Sequence, residues 1–440
     1  MGTPGNQTKP ATERRSTRIR ARAVRGGVLR KLGPGLITGA ADDDPSGIAA
    51  YSQAGAAYGL NMLWTMPVLY PLMSTVQLIS AWVGRVTGQG LAANMRRVFP
   101  GWTVAVLVGL LVTANTINIG ADLAAMGAAA ELVTGISRHP MTFLLAAVSL
   151  ILQVAVPYHR YVHFLKFLTL ALFAYFGAAL AVEIDWGEVA RRTVMPELSL
   201  TAGTATTVVA VFGTTISPYL LFWQASEEVE DEKVDPNDQD APLISHPRQA
   251  KAQLQRIKVD TFIGMAFANL TAFFIILTTA ATLNAKGIMD IQTSAEAAEA
   301  LRPIAGEFAF ALFSMGIIGT GLLAVPVLAG SAAYAVCEAE GWKAGLERKP
   351  QEAVRFYLVI AAAVILGIAA DYSPLDPIKA LFWSAVVNGV VSVPLMIAMM
   401  IIVSRRDEMG RFTASLRLRL MGWLATAVMA AASVVMIATL

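Results

Sequence analysis

Long apolar runs dominate this sequence. Eleven stretches of roughly 18 residues or more occupy about 33–58, 62–84, 102–134, 140–157, 164–184, 203–230, 258–284, 306–337, 354–371, 378–404 and 420–440. A helix needs about 20 mostly apolar residues to cross a bilayer, so the pattern predicts an all-α polytopic membrane protein with 11 transmembrane helices. The links are short: Gly59-Leu60-Asn61 is all that separates the first two runs, leaving no room for a soluble domain between them. Only 15% of residues are charged, against about 25% in a soluble domain, and mean hydropathy is +0.57, as expected when lipid is the solvent.

Residue usage excludes several classes. Cys337 is the single cysteine and sits in an apolar run, so neither a disulfide framework nor a thiolate metal cluster is available. His139, His159, His163 and His246 all fall at or near segment ends, which argues against a multi-histidine centre inside the membrane. No Ser/His/Asp, Cys/His or phosphate-binding signature stands out. The expectation is a protein that is not an enzyme, carries no cofactor and has no nucleic-acid partner; its surroundings are the lipid bilayer.

Lys and Arg favour cytoplasmic loops. With the N-terminus inside, 28 of the 34 fall in inside segments, and only Arg138, Arg191, Arg192, Lys286, Arg302 and Lys379 fall outside. The bias predicts an N-in, C-out protein of the plasma (inner) membrane. Residues 1–30 carry Arg14, Arg15, Arg18, Arg20, Arg22 and Arg25 without apolar periodicity. They read as a disordered cytoplasmic tail that helps set topology, without the apolar core of a cleavable signal. A docking strip for anionic lipid is the sharper alternative. The transporter domain would be 31–440.

Two runs contain what a spanning helix should avoid. In the first, Gly33-Pro34-Gly35 opens an apolar segment that meets Asp42-Asp43-Asp44-Pro45-Ser46-Gly47, roughly 16 Å deep and near the midplane. Each Asp there costs about 2.5–3.5 kcal/mol, so three uncompensated ones cost about 7–10 kcal/mol. Pro45 removes a helical hydrogen bond and Gly47 relaxes the backbone. Irregular backbone at that depth survives only where it is buried in protein or lines a cavity. Successive helical residues point about 100° apart, so the three Asp cannot share one site. Asp44, at the break, is the expected ligand, while Asp42 and Asp43 would face an inner path or cap the half-helix. The sixth run breaks likewise at Gly213-Thr214-Thr215-Ile216-Ser217-Pro218-Tyr219, then ends in Glu227, Glu228, Glu230, Asp231 and Glu232. A lone Pro in a spanning helix usually marks a kink. Breaks five helices apart instead point to an inverted-repeat transporter, with repeats of about 31–184 and 203–404 and an extra helix at 420–440.

Other intramembrane polar residues are weaker pointers. Asn115, Asn118 and Asp122 lie on one stripe of the third run, where helix–helix hydrogen bonding is the bland reading for the two Asn. Asp122 is costlier to bury and more readily lines a polar path. Gln77 and Asn269 read as helix–helix glue, and Asn388, in a run expected to lean on the site, as a contributor.

The stretch from Gly33 to Gly55, with Asp44-Pro45-Ser46-Gly47 followed by Gln53-Ala54-Gly55-Ala56, resembles the first helix of the natural resistance-associated macrophage protein (NRAMP) family of divalent metal transporters. That family carries Asp-Pro-Gly-Asn there, then Gln-Ala-Gly-Ala. The second break resembles its Met-Pro-His motif, and similarity continues through Ala121-Asp122-Leu123 and the Gly-rich eighth run. The resemblance covers nearly everything after residue 30. It implies the inverted 5+5 (LeuT-like) repeat shared with amino-acid transporters, with discontinuous helices 1 and 6, plus one helix. Departures from the motif carry information too. Gly47 stands for the family's Asn, Ser217 for its Met, Tyr219 for its His and Ala125 for an acidic residue. The missing His and acid weaken the case for proton coupling. Loss of the thioether removes the only soft ligand. The site this implies comprises Asp44, Ser217, Ala41, Gly47, Thr214 and Asn388, with Asp122, Asn118, Tyr219 and Asp43 along a polar path. Such an all-oxygen site suits a hard, partly hydrated cation, Mg²⁺ or Mn²⁺ before Fe²⁺, as in the NRAMP-related magnesium branch. An amino-acid or organic-cation symporter on the same fold is the rival, though such a site would not place three Asp at the break.

Overall fold

Two prolines decide how the chain passes through the centre of the molecule. A computed structural model describes residues 38, 39, 41–156, 170–199, 201–234, 242–372 and 376–439. The chain is helical at residues 41 and 42, leaves the helix at Asp43 and Asp44, and restarts as α1 (Pro45–Tyr58) with Pro45 in the first turn. The fixed φ of proline suits that first position, where no intrahelical N–H is needed. The second break is similar. Helix α8 (Ala202–Thr215) stops at Ile216, which has φ −108° and ψ 59°, and α9 (Pro218–Val234) starts on Pro218.

Between and beyond them lie α2 (Thr65–Thr87), α3 (Leu91–Val98), α4 (Gly101–Thr134), α5 (Arg138–Ala155), α6 (Phe173–Ala181) and α7 (Trp186–Val194). After the second break come α10 (Ala250–Thr282), α11 (Ala309–Glu340), α12 (Val354–Ala370), α13 (Pro377–Ser404) and α14 (Leu416–Thr439). No strand occurs among the described residues. Eight of their helices are long and apolar enough to cross a membrane, counting α8 and α9 together, and Val354–Ala369 is a shorter apolar one. The count falls below eleven because α1 is only a 14-residue part of a broken span and part of the fifth run lies outside the described residues. The expected all-α membrane architecture with interrupted first and sixth spans is borne out. The basic tail, His159 and His163 lie outside the described residues.

Helix α4 is the axis of the fold, packing along α11, α12 and α13, while α1 packs on α10, α13 and α8, and α9 on α2 and α11. Lipid supplies no hydrophobic drive between helices, so close packing of small residues does the work. The stretch Gly120–Ala130 of α4 is nearly all Ala and Gly and is buried throughout but for Ala128. Helices α8 and α13 approach most closely at Gly213. A Cβ there would lie 2.2 Å from the Ala385 carbonyl oxygen and 2.4 Å from the Gly389 nitrogen. Those are backbone atoms that cannot rotate away, so Gly213→Ala must push α13 off α8. The expected cost is about 1–3 kcal/mol, read as a lowered unfolding midpoint of the purified protein. An unchanged midpoint would refute the close approach.

Candidate metal site at the paired helix breaks

Asp44 is the N-cap of α1, with extended backbone (φ −71°, ψ 170°). Asp is favoured here because its side chain satisfies N–H groups that a helix start leaves open. The Gly47 N–H donates to Oδ1 at 2.7 Å, and the Ser46 hydroxyl donates to the same oxygen at 2.7 Å. The other oxygen, Oδ2, receives the Asn118 amide of α4 at 3.2 Å and the Tyr219 hydroxyl of α9 at 3.3 Å. Four neutral donors from three helices thus converge on one carboxylate. None of Asp44, Asn118, Asp122, Tyr219 and Asn388 is more than 1% exposed, so water does not screen the charge.

Asn118 is the hub. Its amide nitrogen also donates to Asp122 Oδ2 at 3.1 Å, and its carbonyl oxygen accepts from Asn388 of α13 at 2.8 Å. That leaves Asp122 Oδ1 and Asn388 Oδ1 buried with no hydrogen-bond partner among the described residues. Asp44, Asn118, Asp122, Tyr219 and Asn388 therefore form one connected cluster.

The remaining expected residues are placed differently. The Ser217 hydroxyl donates to the Gly213 and Thr214 carbonyls at 2.9 and 2.5 Å, so its proton caps the end of α8 and only its lone pairs are free to face an ion. The Thr214 carbonyl is occupied by that bond. The Thr214 side-chain oxygen lies 3.4 Å from the Ser46 hydroxyl and 3.2 Å from where a Cβ on Gly47 would sit. Any larger residue at 47 would crowd it. The Ala41 carbonyl accepts the Tyr219 hydroxyl at 3.1 Å. Asp42 and Asp43 are buried, and among the described residues neither oxygen of the Asp42 carboxylate has a hydrogen-bond partner. Ser46 was missing from the expected set, although its position two residues after a helix-capping Asp was the available signal.

The other polar residues divide. Asn115 donates to the Leu328 carbonyl and Ser331 hydroxyl of α11, the helix–helix bonding expected of it. Gln77, expected as glue, has neither side-chain atom bonded among the described residues. The acidic end of α9 acts as an anchor: Glu230 accepts from the Tyr334 hydroxyl and the Leu346 N–H, and Glu228 pairs with Arg256 at 2.7 Å.

A cavity of about 440 Å³ opens between the ends of α1, α8 and α13, lined by Gln53, Tyr58, Thr206, Phe382, Asp290 and Lys379 among others. Gln53 is nine residues from Asp44, hence about 13 Å along α1. On the other side of the break Ser80 bonds the Leu221 carbonyl, and a Cβ on Gly84 would be 2.3 Å from the Ala225 carbonyl, so α2 and α9 are closed against each other. Among the described residues no three His, Cys, Asp or Glu side chains are grouped to hold a metal.

Comparison with known proteins gives the relatives and the fold of this chain. The Burkholderia ambifaria divalent metal cation transporter MntH is 27% identical over 430 residues, covering 96% of this chain and 90% of that protein. The Pectobacterium carotovorum protein of the same name is 26% identical over 422 residues, 92% of each. The fold is shared with the Eremococcus coleocola manganese transporter, solved with an aromatic bis-isothiourea compound, at a TM-score of 0.71 and 15% identity, over 93% of this chain and 87% of that one. It is also shared with Mhp1, a nucleobase-cation-symport-1 family transporter, at a TM-score of 0.58 and 14% identity, over 93% and 90%. The family described as natural resistance-associated macrophage protein-like (Nramp) matches residues 35–439, and the chain belongs to it.

Proposed function

We propose that the protein imports a hard divalent cation, Mg²⁺ or Mn²⁺ ahead of Fe²⁺, through a site at the breaks before α1 and α9, near the midplane of an inner membrane that it spans N-in and C-out. The observation that carries this is the buried Asp44 carboxylate, held by four neutral donors, with the Thr214 hydroxyl 3.4 Å from the Ser46 hydroxyl that bonds it. Every group there is an oxygen or an amide. Such a set favours ions that bind oxygen and keep part of their water. The names of the relatives, divalent metal cation and manganese transporters, support the cargo class. The cavity at the outer ends of α1, α8 and α13 serves as the entrance, and Asp43 and Asp42 as the next acceptors toward the inside.

Coupling to protons is not required by this reading. A potential of 100 mV is worth about 2.3 kcal/mol per charge, about 4.6 for a divalent ion, enough for roughly a thousandfold accumulation. In proteoliposomes, Mg²⁺ and Mn²⁺ uptake should proceed without internal acidification; metal-driven acidification would overturn the uncoupled reading. Ser217→Met restores a thioether and should raise Cd²⁺ binding about tenfold over wild type. No gain would remove Ser217 from the site.

A further inference from the structure

A second cavity, of about 470 Å³, lies between α2, α10 and the start of α14. Its lining holds three cations, Lys251, Lys258 and Arg417, and no acidic residue. Lys251 and Lys258 are seven residues apart on α10, two turns along one face. All three are exposed, and among the described residues none of them makes an ion pair or hydrogen bond. Arg256, by contrast, is paired with Glu228 at 2.7 Å and Asp231 at 3.3 Å. The floor of the groove is apolar, with half-buried Trp82, Phe262 and Leu418, and Trp82 is fixed by its indole N–H bond to the Phe412 carbonyl at 2.8 Å.

The depth of this groove follows from helix length. Helix α10 has 33 residues, hence about 50 Å, against a hydrocarbon core of about 30 Å. Its first turns, which bear Lys251 and Lys258, therefore project to headgroup level. The Trp82 indole fits the same level. Free cations above an apolar floor match an amphiphile with a negative head.

We infer that this groove is a binding site for an anionic phospholipid, its phosphate held by Lys251, Lys258 and Arg417 and an acyl chain laid over Trp82, Phe262 and Leu418. Bound there, the lipid bridges α2, α10 and α14.

Delipidated protein in detergent, followed by native mass spectrometry and by its unfolding midpoint, tests this. Phosphatidylglycerol should remain bound and raise the midpoint, whereas phosphatidylcholine or inorganic phosphate at equal phosphorus concentration should do neither. Lys251→Gln/Lys258→Gln/Arg417→Gln should weaken phosphatidylglycerol binding about a hundredfold, from about 1 kcal/mol per basic residue. Lys251→Arg/Lys258→Arg/Arg417→Lys should retain it. If the triple Gln variant is not monodisperse, Lys258→Gln alone should show about a fivefold loss. Equal retention by wild type and the Gln variants overturns the site. Equal retention of phosphatidylcholine would reduce the groove to a nonselective apolar seam, and a phosphate effect would make it a soluble-anion site; either result also overturns the inference.

Discussion

Asp44→Ala is expected to bring Mg²⁺ and Mn²⁺ uptake into proteoliposomes down to background, at least a hundredfold below wild type. The substitution removes the carboxylate proposed to hold the ion and strands four donors that now meet on it. A hundredfold loss of affinity is about 2.7 kcal/mol, less than the removal of a charge-assisted contact set in a dry site should cost. Part of the loss in Ala is structural, because the cap of α1 goes with the carboxylate. Asp44→Asn separates the two effects. It keeps an acceptor for the Gly47 N–H and Ser46 hydroxyl but removes the charge and the second oxygen, which accepts from Asn118 and Tyr219, so it should keep the α1 cap, unfold at a higher midpoint than Asp44→Ala and still fail to transport. Unchanged uptake in either variant would sink the site assignment.

The second large effect is expected at Asn118. Leu at this position has similar volume but none of the bonds, so Asp44 and Asp122 each lose a donor and the Asn388 amide loses its acceptor. Each buried polar group left unpaired costs about 1–3 kcal/mol. Titration calorimetry of Asn118→Leu should therefore show Mn²⁺ affinity reduced about 10–100-fold, with Asn388→Leu showing a smaller loss because it acts one bond further away. Equal affinities for wild type and Asn118→Leu would mean that the hub is structural only.

Local chemistry explains which parts of this site the sequence could show. Pro45 and Pro218 each violate a rule for spanning helices, and violations can be read without knowing any neighbour. Asp44 is legible for the same reason, since a carboxylate at that depth needs partners. The partners are another matter. Asn115 and Asn118 are three residues apart on one helix, yet the first turns to α11 and the second to the break. That choice depends on how α4 is rotated between its neighbours, which only packing fixes. Ser217 shows a related ambiguity. A hydroxyl at a helix end can bond the carbonyls behind it or face a ligand, and both uses need the same residue at the same place. The closeness of α8 to α13 at Gly213 is tertiary as well, although a glycine in a spanning helix hinted at it.

The donors around Asp44 come from three helices, α1, α4 and α9, and this ties ion affinity to helix alignment. Sliding α9 against α1 by even a couple of ångströms stretches the Tyr219 bond beyond reach, and a tilt of α4 withdraws Asn118. The ion therefore binds best to one arrangement of the three helices. By the same linkage, binding it must stabilise that arrangement by as much as the affinities for the two arrangements differ. Loading and helix alignment are then one equilibrium seen from two ends. An ion too soft for the oxygens would bind weakly and also leave the helices unaligned, so discrimination would be exercised twice, at capture and again at the step that carries cargo across.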